Sequence, residues 1–183
     1  TATGLGGLAL LKDGTLTRTR ALEGSRGSDL VPCAKALLEE AGIPPADLSL
    51  IALDVGPGSF TGTRIAVAFA KSIAWVSGCA LAPVSGLQTR AQDAWQGGLR
   101  GPLGVSLDAR RGRVYGAVFQ LEEDGPRRLS EDSLHTPEGL EALIPSGAAC
   151  LSDADPAPSA EAVARLGLAS SIRSTPFALA PSY

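Results

Sequence analysis

The chain has 183 residues, 44% of them hydrophobic, and a formal net charge of −3, a composition that reads as a soluble globular protein able to bury a core in one domain or two small ones. The charge argues against a protein that holds RNA alone, because Arg110, Arg111 and Arg113, with Arg127 and Arg128, are interleaved with Glu122, Glu123 and Asp124 and form no single basic face. Three widely spaced cysteines, Cys33, Cys79 and Cys150, exclude a disulfide framework and read as reduced small hydrophobes; the apolar run 65–70, closed by Lys71, is too short for a bilayer, and with no signal peptide near Thr1 the expected compartment is the cytoplasm.

Residues 5–11 and 15–19 predict two strands joined by a hairpin turn at Asp13-Gly14. A helix is expected over 29–41, with Ser28 or Asp29 as its cap, Pro32 in the first turn and Gly42 as the stop. Leu30, Val31, Ala34, Leu37, Leu38 and Ala41 recur at helical spacing and predict one buried stripe. Pro44-Pro45 ends it. A fully buried strand over 50–55, a helix over 61–76, a short strand over 80–84 and a helix over 87–95 follow. That alternation predicts parallel strands joined by crossover helices.

Gly97-Gly98 to Gly101-Pro102 breaks the pattern and places an expected boundary between lobes 1–98 and 99–183. Strands are expected at 102–107 and 113–121 around a turn at 108–112, with a second turn at Asp124-Gly125. Gly4 with Gly112, and Asp13-Gly14 with Asp124-Gly125, stand at a near-constant offset, so two related meanders open the two halves. Short helices at 137–144 and 159–166, with a strand near 148–151, complete the second half.

The segment Gly56-Pro57-Gly58-Ser59-Phe60-Thr61-Gly62, followed by Thr63-Arg64, carries most of the functional information. Its unpaired N–H groups, hydroxyls and Arg64 suit an anion, so Gly56, Gly58, Ser59, Thr61 and Gly62 are candidates for a phosphate cradle. The alternative is a rigid strand-to-helix turn that lets two elements pack closely. A Walker A loop is excluded, because no Gly-Lys-Ser/Thr ending is present. Asp54 and Asp108 stand at strand ends, where a metal-coordinating pair is one reading and simple turn caps the other. Ser59 lacks the Gly-x-Ser-x-Gly setting of a nucleophile. The single histidine, His135, lies in the polar segment 133–136 and reads as a solvated loop residue, neither ligand nor base.

The run from Gly56 to Arg64 resembles the GPGSFTG-x-R stretch of the TsaB (YeaZ) family of bacterial subunits needed to make threonylcarbamoyladenosine in tRNA. The resemblance continues through Ala70-Lys71-Ser72-Ile73-Ala74, Pro83-Val84-Ser85-Gly86-Leu87, Asp108-Ala109-Arg110-Arg111-Gly112-Arg113-Val114-Tyr115 and Pro181-Ser182-Tyr183, in the family's order. Residues 120–175 match only in general character. The chain begins at Thr1, not methionine, and the family's first strand with its acidic end residue is expected just before it. Arg26-Gly27 stands where the family often has His-Ser, so no role of that histidine carries over.

The resemblance implies an α/β, actin-like (ASKHA, ribonuclease H-like) duplicated fold with two lobes. It implies a non-catalytic subunit, with no cofactor and no metal, that binds and organises the catalytic subunit TsaD together with the ATPase TsaE. This chain would reach tRNA only through that complex, and a homodimer is the alternative when TsaD is absent. The runner-up is an actin-like ATPase or kinase using the glycine loop with Asp54 and Asp108; a metallopeptidase is disfavoured by the near absence of histidine. In the helix 61–76, Ile65, Phe69, Ser72, Ile73 and Val76 are expected to face the core. Arg64, Val67, Ala68, Lys71 and Trp75 are expected on a second face. Because the family uses its first two helices for the TsaD contact, Val31 and Leu38 join this second face as the expected partner-binding set.

Overall fold

The computed structural model describes residues 6–22 and 27–182. The chain forms two compact units, one ending at Val84 and resumed from Ser159, the other spanning Ser85–Pro158.

The first unit opens on an antiparallel hairpin, β1 (Gly6–Lys12) with β2 (Thr15–Leu22). Asp13 and Gly14 both have positive φ, 52° and 75°, the pairing a tight two-residue connection needs. Helix α1 (Leu30–Ala41) follows and ends at Gly42, whose φ of 65° lets its N–H donate to the Glu39 carbonyl. The expected cap differs. A 3-10 turn, Gly27–Asp29, leads into the helix, Asp29 already has helical torsions, and its side chain makes no capping bond. The expected stripe is narrower too: Leu30 and Leu37 are buried, Ala34, Leu38 and Ala41 half-buried, and Val31 is 60% exposed.

β3 (Leu50–Asp54), α2 (Phe60–Ser77) and β4 (Ala80–Val84) form a parallel crossover unit, with Leu50 opposite Ala80 and Asp54 opposite Val84. β3 is less buried than expected, only Leu53 being fully so, because among the described residues its other edge pairs with no strand. Helix α5 (Ala160–Ala169) packs against β1, β3 and β4. The approach needs Gly167: a Cβ there would fall 2.2 Å from the Ala52 Cβ. Leu53, Val55, Val67, Ala70, Ala74, Cys79, Leu81 and Leu179 make up the core.

In the second unit, α3 (Gly86–Gln96) covers a mostly antiparallel sheet in the order β7 (Pro126–Arg128), β6 (Arg113–Leu121), β5 (Gly101–Arg110), β9 (Ala149–Leu151). β9 runs parallel to β5, and β8 (Ser133–His135) pairs with the far end of β6. Alternation along the strands splits the faces. Leu103, Val105, Ala117 and Phe119 pack with Leu87 and Ala91 of α3. On the other face Gly104 and Gly116 leave room for Ile144 and for Leu140 of α4 (Pro137–Glu141).

Three expectations change here. The glycine-rich break at 97–102 is a turn inside the second unit, since α3 shares one core with β5 and β6; the units part at Val84/Ser85, and 159–182 return to the first. His135 lies in a strand, not a solvated loop: it pairs with Val114, and its Nε2 is buried without a hydrogen-bond partner. β7 and β8, three residues each, carry no period in the sequence that announces them. The two hairpins β1–β2 and β5–β6 form as expected, while Gly4, one of the offset pair, lies outside the described residues. The cysteines are free; Cys79 is buried, Cys33 half-buried, and Cys150 exposed, so only Cys79 behaves fully as a core hydrophobe.

Candidate functional site

The glycine loop leaves β3 with the Val55 N–H donating to the Val84 carbonyl at 3.0 Å. Gly56 has φ of 104°, and its N–H donates to Asp54 Oδ1 at 2.8 Å. The end of the chain closes over this point: the Ser182 N–H donates to the Val55 carbonyl at 2.7 Å, and a Cβ on Gly56 would lie 2.5 Å from the Ser182 carbonyl oxygen. Torsion and space both demand glycine there. The Ser59 hydroxyl then caps α2 by accepting the Gly62 N–H at 3.2 Å. Two donors that a phosphate cradle would use, at Gly56 and Gly62, are therefore engaged inside the protein, one of them by a carboxylate. Gly58, Ser59 and Thr61 are exposed, while the Thr63 hydroxyl is buried without a partner.

Asp108 behaves like Asp54. Its Oδ1 accepts the Arg110 N–H at 2.8 Å, so both aspartates cap turns, each within its own unit. Among the described residues no group of three or more His, Cys, Asp or Glu side chains could hold a metal ion. No helix among them is long and apolar enough to cross a membrane.

Helix α2 reverses part of the expected division of faces. Thr63, Val67, Ala70 and Ala74 are buried, with Val67 5% exposed in the core beside Leu53 and Val55. Ile65, Phe69 and Ile73, expected at the centre of the core, are half-buried flanks, and Val76 is 87% exposed. The physical reason is size. Small side chains at 63, 67, 70 and 74 let the helix lie close to β3 and β4, which a stripe of Ile and Phe would hold off.

The outward face holds the rest of the expected set. Arg64 lies over the Phe60 ring at 3.9 Å, Ala68 is exposed, and Trp75 is 64% exposed. Trp75 meets Phe177 edge to face, ring centroids 4.9 Å apart. The Lys71 amine donates to the Leu179 carbonyl at 3.2 Å, tying α2 to the closing segment. On α1, Val31 is exposed and Leu38 half-buried. Sequence reading missed Phe60, Val76 and Phe177. Phe177 lies in an unpatterned segment after Pro176, where only its aromatic character in a polar stretch marks it.

A family model described as TsaD, tRNA N6-adenosine threonylcarbamoyltransferase, matches residues 27–172. The tRNA threonylcarbamoyladenosine biosynthesis protein TsaB of Bacillus subtilis (strain 168) is 37% identical over 119 residues, 63% of this chain and 51% of that protein. TsaB of Escherichia coli (strain K12) is 34% identical over 126 residues, 68% of this chain and 54% of that protein. The chain spans about half the length of the curated relatives it matches. A solved Pseudomonas aeruginosa protein described as similar to peptidase YeaZ superposes with a TM-score of 0.85 at 26% identity, covering 100% of this chain and 95% of that one. The fold also matches that of YeaZ from Pseudomonas aeruginosa, with a TM-score of 0.83 over 100% of this chain and 96% of that one, at 24% identity. Through the match over residues 27–172 the chain belongs to this threonylcarbamoyltransferase family, and within it the chain is homologous to the TsaB (YeaZ) proteins.

Proposed function

We propose that this protein is a non-catalytic subunit of the tRNA threonylcarbamoyladenosine (t6A37) machinery, which binds and organises a TsaD-like catalytic subunit together with a TsaE-like ATPase in the cytoplasm. It meets tRNA through that complex. The observation that carries the reading is the outward face of α2. Phe60, Ala68, Trp75 and Val76 are exposed on a helix whose inner face is already covered by the sheet, and Phe177, itself exposed, packs on Trp75. Such a surface is expensive to leave in water and is characteristic of a protein contact. Val31 on α1 and Arg64 and Lys71 on α2 belong to the same proposed contact, Leu38 at its margin, and a second copy of the chain would use it when the catalytic subunit is absent. Val67 is withdrawn from the set because it is buried in the core.

The two units are read as the lobes of an actin-like duplication, a reading supported by the antiparallel hairpin that opens the strands of each. An ATPase or kinase built on the loop is not favoured, since Asp54 and Asp108 are engaged as turn caps and the loop donors at Gly56 and Gly62 are taken. The relatives' names, which concern the biosynthesis of the modified nucleoside and its transferase, support the same process.

Ala68→Glu tests the interface. It adds a carboxylate to an exposed position, so the isolated chain keeps its circular dichroism and melting temperature, whereas co-purification with the TsaD-like subunit weakens by about 100-fold or more. Unchanged association of the folded variant sinks the reading. ATP turnover by the purified chain that disappears with Asp54→Ala would install the enzyme reading in its place.

A further inference from the structure

The hairpin between β5 and β6 ends in Arg110, Arg111, Gly112 and Arg113. Arg110 and Arg111 have φ of 65° and 54°, and Gly112 has 71°. Arg110 pairs with Arg113, so Arg111 and Gly112 are the two-residue connection, which needs positive φ at both positions as at Asp13-Gly14, and Arg110 lies at the register shift beside it; the turn itself therefore fixes how the arginines are presented. The tip is pinned from below: Asp108 Oδ1 accepts the Arg110 N–H, and an Asp153 carboxylate oxygen accepts the Asp108 N–H. Both carboxylates are thereby turned to the backbone.

The side chains on this tip are also spared from the fold. In the same unit Arg90 and Arg100 donate to carbonyls, Arg127 pairs with Glu122, and Arg128 pairs with Asp132. Arg113 donates to the His135 carbonyl through Nε and remains exposed. Arg110 and Arg111 are exposed and have no side-chain partner among the described residues. Two free guanidinium groups beside a third, on a backbone that does not need to be ordered further, make a preformed anion contact.

We propose that the Arg110–Arg113 tip is a contact for the phosphate backbone of RNA. The proposal rests on the tRNA-modification reading above, which supplies the polyanion, and adds a direct touch of this subunit on it. Guanidinium groups match phosphate oxygens in forked pairs. Residues 108–113 contain no large apolar side chain, so what the tip offers is forked positive charge, the complement of a phosphate oxygen pair and not of an apolar pocket. With a net charge of −3 on the chain, the contact strengthens a grip supplied mainly elsewhere. It positions the RNA without reading its sequence.

The test is fluorescence anisotropy of a labelled tRNA transcript with the full chain, alone at low salt and assembled with the TsaD-like subunit, comparing the parent with Arg110→Gln/Arg111→Gln. Loss of two phosphate contacts makes the parent lose about tenfold more affinity than the variant between 50 and 200 mM salt. Arg127→Gln, which removes an arginine already paired with Glu122, leaves the salt slope as in the parent. Gel filtration in parallel reports assembly. A double variant that assembles normally and binds tRNA with the parent's affinity and slope overturns the inference and leaves the proposed function standing. A parent that does not assemble with the TsaD-like subunit overturns the proposed function and, because the contact adds to a grip that the complex supplies, the RNA contact with it. A double variant that loses assembly but keeps its tRNA slope shows the tip to be a protein contact, which also overturns it.

Discussion

Trp75 and Phe177 meet edge to face with ring centroids 4.9 Å apart, although each remains mostly exposed. The pair ties the last turn of α2 to the closing segment at a place where neither ring is buried by the fold. Phe177→Ala should therefore cost the isolated chain little, at most about 1 kcal/mol. It should shift Trp75 emission to longer wavelength, read after subtracting the spectrum of Trp75→Phe, which reports Trp95 alone, because Trp95 donates its indole N–H to the Glu122 carbonyl and contributes its own signal. Association with the TsaD-like subunit should weaken in step.

Val67 and Ala68 are adjacent in sequence and opposite in consequence. Val67→Glu places a carboxylate among Leu53, Val55 and Leu81, at a cost of about 3 kcal/mol or more. Circular dichroism melts should show a strongly destabilised or unfolded chain, in contrast to Ala68→Glu. Equal stability of the two variants would mean that α2 is rotated relative to the face described above.

Gly56 should be the least replaceable glycine of the loop. Its φ of 104° and the Ser182 carbonyl oxygen, 2.5 Å from an added Cβ, predict that Gly56→Ala destabilises by about 1–3 kcal/mol. Gly58 is exposed and is not among the positive-φ residues, so Gly58→Ala should stay within about 0.5 kcal/mol of the parent. Thermal melts of the two variants, side by side, check the contrast.

Arg90 is 4% exposed and donates through one nitrogen to the Ser152 and Pro156 carbonyls at 3.1 and 3.2 Å. It latches the turn after β9 to α3. Arg90→Met should keep the volume but free those carbonyls, costing about 1–3 kcal/mol, and should make the 152–158 segment a new site of limited proteolysis. Protection equal to the parent's would assign the turn's order to the bonds that Asp155 makes with Ser152.

Local chemistry was legible in the sequence wherever it is self-contained. Asp13-Gly14 marks its hairpin, Gly42 its helix end and the strand-helix-strand alternation its parallel pair, because each depends on residues close in the chain. The core-facing side of α2 was not. Hydrophobic size points to Ile65, Phe69 and Ile73, but the sheet selects the small stripe Thr63, Val67, Ala70 and Ala74, a choice made by elements distant in sequence. The unit boundary failed for a related reason: a glycine-rich break shows where a helix stops, not which sheet that helix covers. For the site, Arg64, Ala68, Lys71 and Trp75 lie on the outward side of α2 or at its edge. Phe60, Val76 and Phe177 escaped because exposure depends on how α2 and the closing segment lie on the sheet, which no local pattern encodes.

The return of residues 159–182 to the first unit sets an order of events during synthesis. The second unit is continuous in the chain and can complete its core as soon as Pro158 has left the ribosome. The first cannot, because α5 must cover β3 and β4, Leu179 must enter the core, and Ser174 must bridge to Leu81 before Ser182 closes on Val55. Until then the α2 crossover waits with its apolar sheet uncovered. A chain stalled or clipped before residue 159 would leave a finished insert attached to an unfinished host, a species that chaperones and proteases are built to recognise.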